Sequence, residues 1–179
     1  VPKVITRSMT SGWIRAASRL NTPPMLQPTR ATGWPALSAR VEAVAEALGA
    51  QPESCWTAHD NVLAVLADEA GLRVLAPDLE AVAALSRDHR VVGLIVTAPG
   101  EAADFVSRYF APAFGVPEDP ATGSTHCTLV PYWSERTGRP ALLAHQLSAR
   151  GGVFRCRDRG ERVDIAGPAR FWLEGRIEI

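Results

Sequence analysis

Apolar positions recur along this chain at two spacings, one helical and one strand-like, and the two alternate without a fixed order. In Ser38–Leu48 the apolar residues Val41, Val44, Ala45 and Leu48 fall on one helical face, Glu42 and Glu46 take the wetter side, and Gly49 stands where a helix stops. Ser54–His59 and Val62–Leu66 read as two strands about an Asp60-Asn61 turn. Leu72–Leu75 reads as a short strand, and Asp78 caps a second helix over Leu79–Leu85. Val91–Thr97 is apolar and β-branched, a buried strand; Phe105–Phe110 alternates and is another. Ala111–Gly123, with three prolines and two glycines, is loop, and a helix is expected over Ser124–Arg136, ending before Gly138. Pro131 inside that helix removes a backbone hydrogen bond and should kink or tighten it.

The last third is strand-rich. Leu142–Ser148, Val153–Arg157, Arg162–Ile165 and Ala169–Leu173 are short runs divided by Gly-Gly, Asp-Arg-Gly and Gly-Pro turns, the pattern of a meandering antiparallel sheet. At the other end, Val4–Ser8 and Trp13–Ala17 are strand-like, and Asn21–Pro35 carries four prolines and reads as an extended linker. The mixed order predicts an α+β fold: a curled mixed or antiparallel sheet around a central helix, with smaller helices outside.

Length and composition narrow this further. The 179 residues suffice for one domain with a core, and 46% apolar content implies folding. Lys plus Arg and Asp plus Glu both number 19, so charge gives no reason to expect a nucleic-acid partner or an anionic membrane. No apolar run is long enough to span a membrane or act as a signal. Cys55, Cys127 and Cys156 are odd in number and lack a CxxC, which reads as reduced, buried thiols in a cytoplasmic protein. His59, His89, His126 and His145 are scattered without metal-ligand spacing, so no metal site is expected.

The segment Gly115-Val116-Pro117-Glu118-Asp119-Pro120-Ala121-Thr122-Gly123-Ser124-Thr125-His126-Cys127 carries the candidate chemistry. A Pro- and Gly-rich turn delivers the chain into a helix whose first N–H groups lack internal partners and favour an anion. Gly123 permits close approach to the backbone, Ser124 and Thr125 add hydroxyls, and Asp119 lies just upstream as an acid/base. The same residues also read as plain capping chemistry. Ser124 is not in a G-x-S-x-G elbow, and Cys127 reads as a packed thiol. Arg108 reads as a structural partner, and Trp133 with Tyr132 as packing of the helix into the sheet.

Glu118 to Cys127, with Leu129-Val130-Pro131-Tyr132-Trp133 behind it, resembles the signature of the PhzF-like isomerases, the phenazine-biosynthesis branch of the diaminopimelate-epimerase fold. Gln146-Leu147-Ser148-Ala149-Arg150-Gly151-Gly152, Phe105 to Pro112 and Arg162 to Ala169 resemble further blocks in the same order, and the likeness runs from about residue 36 to the end. The resemblance implies two pseudo-symmetric lobes with the active site in the cleft between them, no cofactor, and a proton moved on a small carboxylate such as a dihydro-hydroxyanthranilate. It implies that a glutamate of the N-terminal lobe does the main proton transfer. Carried over, Asp119 and Ser124 are catalytic contributors, and Gly123 and Thr125 join Ser124 in holding the substrate carboxylate; Arg150 and Asp60 are candidate substrate contacts, Arg150 reading otherwise as a structural partner and Asp60-Asn61 as a plain hairpin turn. Asp119 stands where the related epimerases carry a cysteine, which argues against two-thiol chemistry.

The N-terminal lobe's glutamate and histidine match no residue of 1–35. The chain therefore reads as a C-terminal part: 1–20 a remnant of the N-terminal lobe, 21–35 a linker, 36–168 the C-terminal lobe, and 169–179 a strand returning to the N-terminal lobe. Strands without their sheet invite pairing, so a homodimer, or a partner supplying the missing lobe, is expected. The alternative function is a non-catalytic lobe that dimerises or binds a carboxylate.

Overall fold

The computed structural model describes residues 41–58 and 60–169, together with the backbone of 13–16. Eight strands form one sheet: β1 (Trp13–Ala16), β2 (Ser54–Ala58), β3 (Asn61–Val65), β4 (Gly93–Pro99), β5 (Phe105–Phe110), β6 (Ala141–Gln146), β7 (Gly152–Asp158) and β8 (Val163–Pro168). Their order is β1-β8-β7-β6-β5-β4-β3-β2. β3–β4 and β5–β6 pair in parallel and the other neighbours antiparallel, so the sheet is mixed. Four helices join them: α1 (Val41–Leu48), α2 (Glu69–Val74), α3 (Leu79–His89) and α4 (His126–Thr137). This is the α+β class that the hydrophobic pattern predicts.

Period-two alternation divides the core into two. Val62, Ala64, Leu66, Leu94, Val96, Ala98, Val106 and Phe110 point to one face and pack under α1, α2 and α3. Leu63, Val65, Ile95, Phe105 and Tyr109 point to the other, where α4 buries Leu129, Val130, Tyr132 and Trp133 among them. Ala58 of β2 and Cys156 of β7 belong to that same α4 cluster. A flat sheet would spread β2 to β7 over roughly 24 Å, against a helix about 10 Å wide. Gathering both ends on one helix therefore requires the sheet to curl around α4. Two contacts lock the helix in place: Trp133 stacks on Phe105 with ring centroids 5.8 Å apart, and its Nε1–H donates to Thr97 Oγ1 at 3.0 Å. The helix runs through Pro131 to Thr137 and ends at Gly138, whose φ of 68° is left-handed.

Two expectations are corrected. Leu72–Leu75 is not a strand; Leu72 lies in α2, where the Asp68 carboxylate caps the helix by accepting from Gly71 N–H at 2.7 Å. Glu69 and Arg73 then pair one turn apart, Arg73 Nε donating at 2.8 Å, and Glu69 Oε2 accepts the Glu101 N–H at 2.7 Å. A Leu-Arg-Val-Leu run satisfies period two, but the cap and the i,i+4 pair decide for helix. The second helix also runs past Leu85 to His89, stopping at Arg90 with φ 53°. The expected strands Val4–Ser8 and Ala169–Leu173 and the linker Asn21–Pro35 lie wholly or mostly outside the described residues, as does His59.

Candidate active site

The path into α4 is built by long-range anchors. β5 ends at Phe110, a short 3-10 turn (Pro112–Phe114) follows, and Gly115 at φ 78° reverses the chain. Arg108 of β5 grips Glu118 through both carboxylate oxygens, at 2.7 and 3.0 Å. Its third nitrogen donates to the Leu75 carbonyl at 2.6 Å and the Leu72 carbonyl at 3.3 Å, two acceptors left free where α2 ends. Arg108 is thus the structural partner that its sequence context suggests. Asp119 is set one residue on, its N–H donating to the Tyr109 carbonyl at 3.0 Å.

Thr122 is the hub of the next stretch. Its N–H donates to Gln146 Oε1 at 2.7 Å. Its hydroxyl donates to Asp119 Oδ2 at 2.6 Å while accepting from Gln146 Nε2 at 3.1 Å. Its carbonyl accepts from Thr125 Oγ1 and His126 Nδ1, both at 2.9 Å. Gln146, 1% exposed, also donates to the Asp119 carbonyl at 2.7 Å. Beside it, Ser148 Oγ donates to the Pro120 carbonyl at 2.6 Å and accepts from Gly151 N–H at 3.1 Å. The end of β6 therefore clamps the loop from Asp119 to Thr122. The sequence reading placed Thr122 in the candidate segment and Gln146 and Ser148 in a further block, but gave none of the three a working role.

Among the described residues, the N–H groups of Gly123, Ser124 and Thr125 have no hydrogen-bond partner. The next amide, His126 N–H, closes a tight turn onto the Gly123 carbonyl at 3.2 Å. α2 and α3 differ: each has an aspartate cap, and Asp78 accepts from both Glu80 and Ala81 N–H. α4 has no capping side chain and no acidic residue in its first turn. The positive end of its dipole is therefore offset by no side chain of its own first turn. Gly123 and Ser124 are exposed, and a Cβ built at Gly123 would meet nothing within 4 Å.

The predicted site residues fall as follows. Asp119, half-buried, stands upstream of these amides with one carboxylate oxygen held by Thr122. Ser124 makes no hydrogen bond through its hydroxyl among the described residues. The Thr125 hydroxyl is corrected: it is buried and donated to the Thr122 carbonyl, so Thr125 offers its amide and not its side chain. Asp60 lies in the β2–β3 turn and accepts from Asn61 Nδ2 at 2.7 Å; Asn61 Oδ1 accepts from the Tyr109 hydroxyl at 2.9 Å. Burial, then the charges of Asp60 and Asp119, push the Tyr109 phenol up to about 12, so both carboxylates act on one hydroxyl. Tyr109 reaches Asn61 across Gly93, where a Cβ would sit 2.8 Å from the phenol oxygen. Arg150 is exposed in the β6–β7 connection that Ser148 ties to Pro120, without a hydrogen bond or ion pair among the described residues.

His126 is fully buried against Phe154, ring centroids 4.1 Å apart. Burial lowers its pKa to about 4, outweighing the Thr122 carbonyl, which raises it. The imidazole is neutral with its proton on Nδ1, since a carbonyl accepts there. The three cysteines are free, Cys55 and Cys156 buried, and burial pushes their thiols up to about 11 and about 12. They are packed thiols in the sense of their sequence reading. Among the described residues no helix is long and apolar enough to cross a membrane, and no group of three His, Cys, Asp or Glu could hold a metal ion.

A hollow of about 710 Å³ lies elsewhere, over β6, β7 and β8, lined by Leu143, Arg155, Arg157 and Asp164 among others. The start of α4 is a different kind of place, with Gly123 and Ser124 exposed there. Chemistry and not volume marks it as the candidate site: unpaired donors, a held carboxylate and a buried clamp converge there.

Comparison with known proteins follows the same residues. The family model described as phenazine biosynthesis-like protein matches residues 8–175. An uncharacterized isomerase of Pseudomonas aeruginosa is 48% identical over 134 residues, covering 75% of this chain and 50% of the relative. A second uncharacterized isomerase of that organism is 44% identical over 135 residues, again 75% of this chain and 50% of the relative. Among solved structures, a phenazine biosynthesis protein of the PhzF family from Enterococcus faecalis superposes with a TM-score of 0.69 at 37% identity, over 76% of this chain and 51% of that one. The chain thus spans about half the length of the relatives it matches.

Proposed function

This chain belongs to the phenazine biosynthesis-like family, and from that premise we propose that it is one half of a cofactor-independent isomerase that moves a proton on a small carboxylate. The observation that carries the reading is the pairing, at the start of α4, of three unpartnered amides with the carboxylate of Asp119. The amides of Gly123, Ser124 and Thr125 hold the substrate carboxylate. They also stabilise negative charge that builds beside it when a proton leaves the adjacent carbon. Asp119 is the acid/base of this wall. Thr122 occupies one of its oxygens, so the other oxygen is the one that meets substrate. Ser124 adds a hydroxyl at the same anion.

A proton that leaves one carbon and returns at another needs a second acid/base on the far side of the substrate. In this reading that group is a glutamate of the other lobe, contributed by the rest of a longer chain or by a partner. Arg150 and Asp60 flank the wall as further substrate contacts. Relatives named isomerases support the reaction class, and the fold supports the two-walled cleft.

The test uses the protein with both lobes present, in D2O, with a dihydro-hydroxyanthranilate as substrate. The parent should give product carrying solvent deuterium, and Asp119→Asn should lower that rate by about a hundredfold or more while leaving the urea midpoint unchanged. Undiminished deuterium incorporation in the variant removes Asp119 from the mechanism. A second reading is a lobe that uses the same unpartnered amides to bind a carboxylate, or dimerises, without catalysis. It predicts that a protein made of these 179 residues binds anthranilate and turns nothing over even when a complementary lobe is supplied.

A further inference from the structure

His126 has no part in the chemistry proposed above, yet it is a fully buried imidazole at the entry to the helix that carries it. We infer that His126 is a positioning residue of the anion-binding wall: by holding the Thr122 carbonyl inward, it turns the Gly123 N–H outward to the substrate. This rests on the reading of the α4 amides as the carboxylate site.

The argument is one of peptide geometry. The Thr122 carbonyl and the Gly123 N–H belong to one planar unit, and in a trans unit they point in opposite directions. No peptide bond among the described residues is cis. The carbonyl accepts from two buried donors, His126 Nδ1 and Thr125 Oγ1, both at 2.9 Å. The preceding unit is fixed too, because Thr122 N–H donates to the buried Gln146 at 2.7 Å. With both units held, the Gly123 N–H has one direction left, away from the imidazole and on an exposed residue.

The imidazole suits this work because it has a single available state. Among the described residues its Nε2 lacks a partner and is buried, with Phe154 on one side and Phe105 at a centroid distance of 6.0 Å. A proton there would put an unpaired cation among aromatic rings. The ring therefore stays neutral with Nδ1–H as its one donor, and the donor has one acceptor to serve.

A crossed pair of variants separates positioning from packing. His126→Phe keeps the ring volume and loses the donor. His126→Asn loses the ring and keeps a donor, since Asn Nδ2 reaches where His Nδ1 does. The first readout needs no ligand: the residual dipolar coupling of the Gly123 N–H in the 179-residue chain. It should change in His126→Phe and match the parent in His126→Asn, although the Asn variant is the less stable of the two in urea. The second readout is titration with anthranilate, followed on the amides of residues 123–125. Affinity should fall about tenfold in His126→Phe, the scale of one hydrogen bond, and stay within about twofold in His126→Asn. A Gly123 coupling unchanged in His126→Phe overturns the proposal, as does a change that follows stability in both variants. If the parent itself does not bind anthranilate while the couplings behave as stated, positioning stands and the carboxylate site falls.

Discussion

One buried imidazole ties stability to pH in this protein. His126 has an ordinary pKa of 6.5 that burial lowers to about 4 in the fold. Unfolding exposes the ring and lets it take a proton, so between those values the unfolded chain binds more protons than the folded one. Stability from this group is complete above pH 6.5 and is lost as pH falls toward 4, a loss of about 3 kcal/mol. Urea melts of the parent at a series of pH values should show that decline, and His126→Phe should flatten it. A decline of equal depth in the variant assigns it to other groups. The sequence showed His126 only as the neighbour of Ser124 and Thr125. Its burial and its bond to Thr122 follow from the way the sheet closes over α4, and no local pattern encodes that. The same holds for Gln146, whose bonds to Asp119 and Thr122 cross 24 or more residues of sequence. Asp119 and Gly123 were legible because a turn, an acid and a helix start are local features. The Thr125 hydroxyl, expected to face a ligand, turns inward to a carbonyl that the sequence does not place.

The central strands β3, β4 and β5 could be read from their apolar runs because both of their faces are buried. Strands such as β4, with Leu94, Val96 and Ala98 on one face and Ile95 on the other, need apolar residues at every position and stand out as continuous runs. α2 did not, since four residues of Leu-Arg-Val-Leu fit either period and the helix is set by its ends. Its cap is therefore the feature to test. Asp68→Ala should destabilise the protein by about 1 kcal/mol, read from the shift in urea midpoint. No shift would mean that the tie from Glu69 to the Glu101 N–H holds α2 without its cap. α4 is the counter-example among the helices. It has no capping side chain, so its stability comes from Trp133, Leu129 and Val130 packed within the curled sheet. Strong packing lets its first amides remain unpaired, which the proposed carboxylate site requires.

At the scale of the whole molecule, the curl of the sheet around α4 brings the end of β5, the β2–β3 turn and the β6–β7 connection to the start of one helix. Asp119, in the loop after β5, is tied to the Tyr109 carbonyl, Asp60 lies in the β2–β3 turn, and Arg150 lies in the β6–β7 connection. β1 pairs with β8 and closes the described sheet at the edge opposite β2, each residue of Trp13–Ala16 facing one of Ile165–Pro168. The chain spans about half the length of those relatives, and in the function proposed above a second lobe faces this wall. The most direct test is a crystal structure of the protein grown with anthranilate. The account predicts the carboxylate at hydrogen-bonding distance, about 2.7–3.2 Å, from the amides of Gly123, Ser124 and Thr125, with the free oxygen of Asp119 against the ring. Anthranilate seated instead in the hollow over β6, β7 and β8, with those amides untouched, would contradict it.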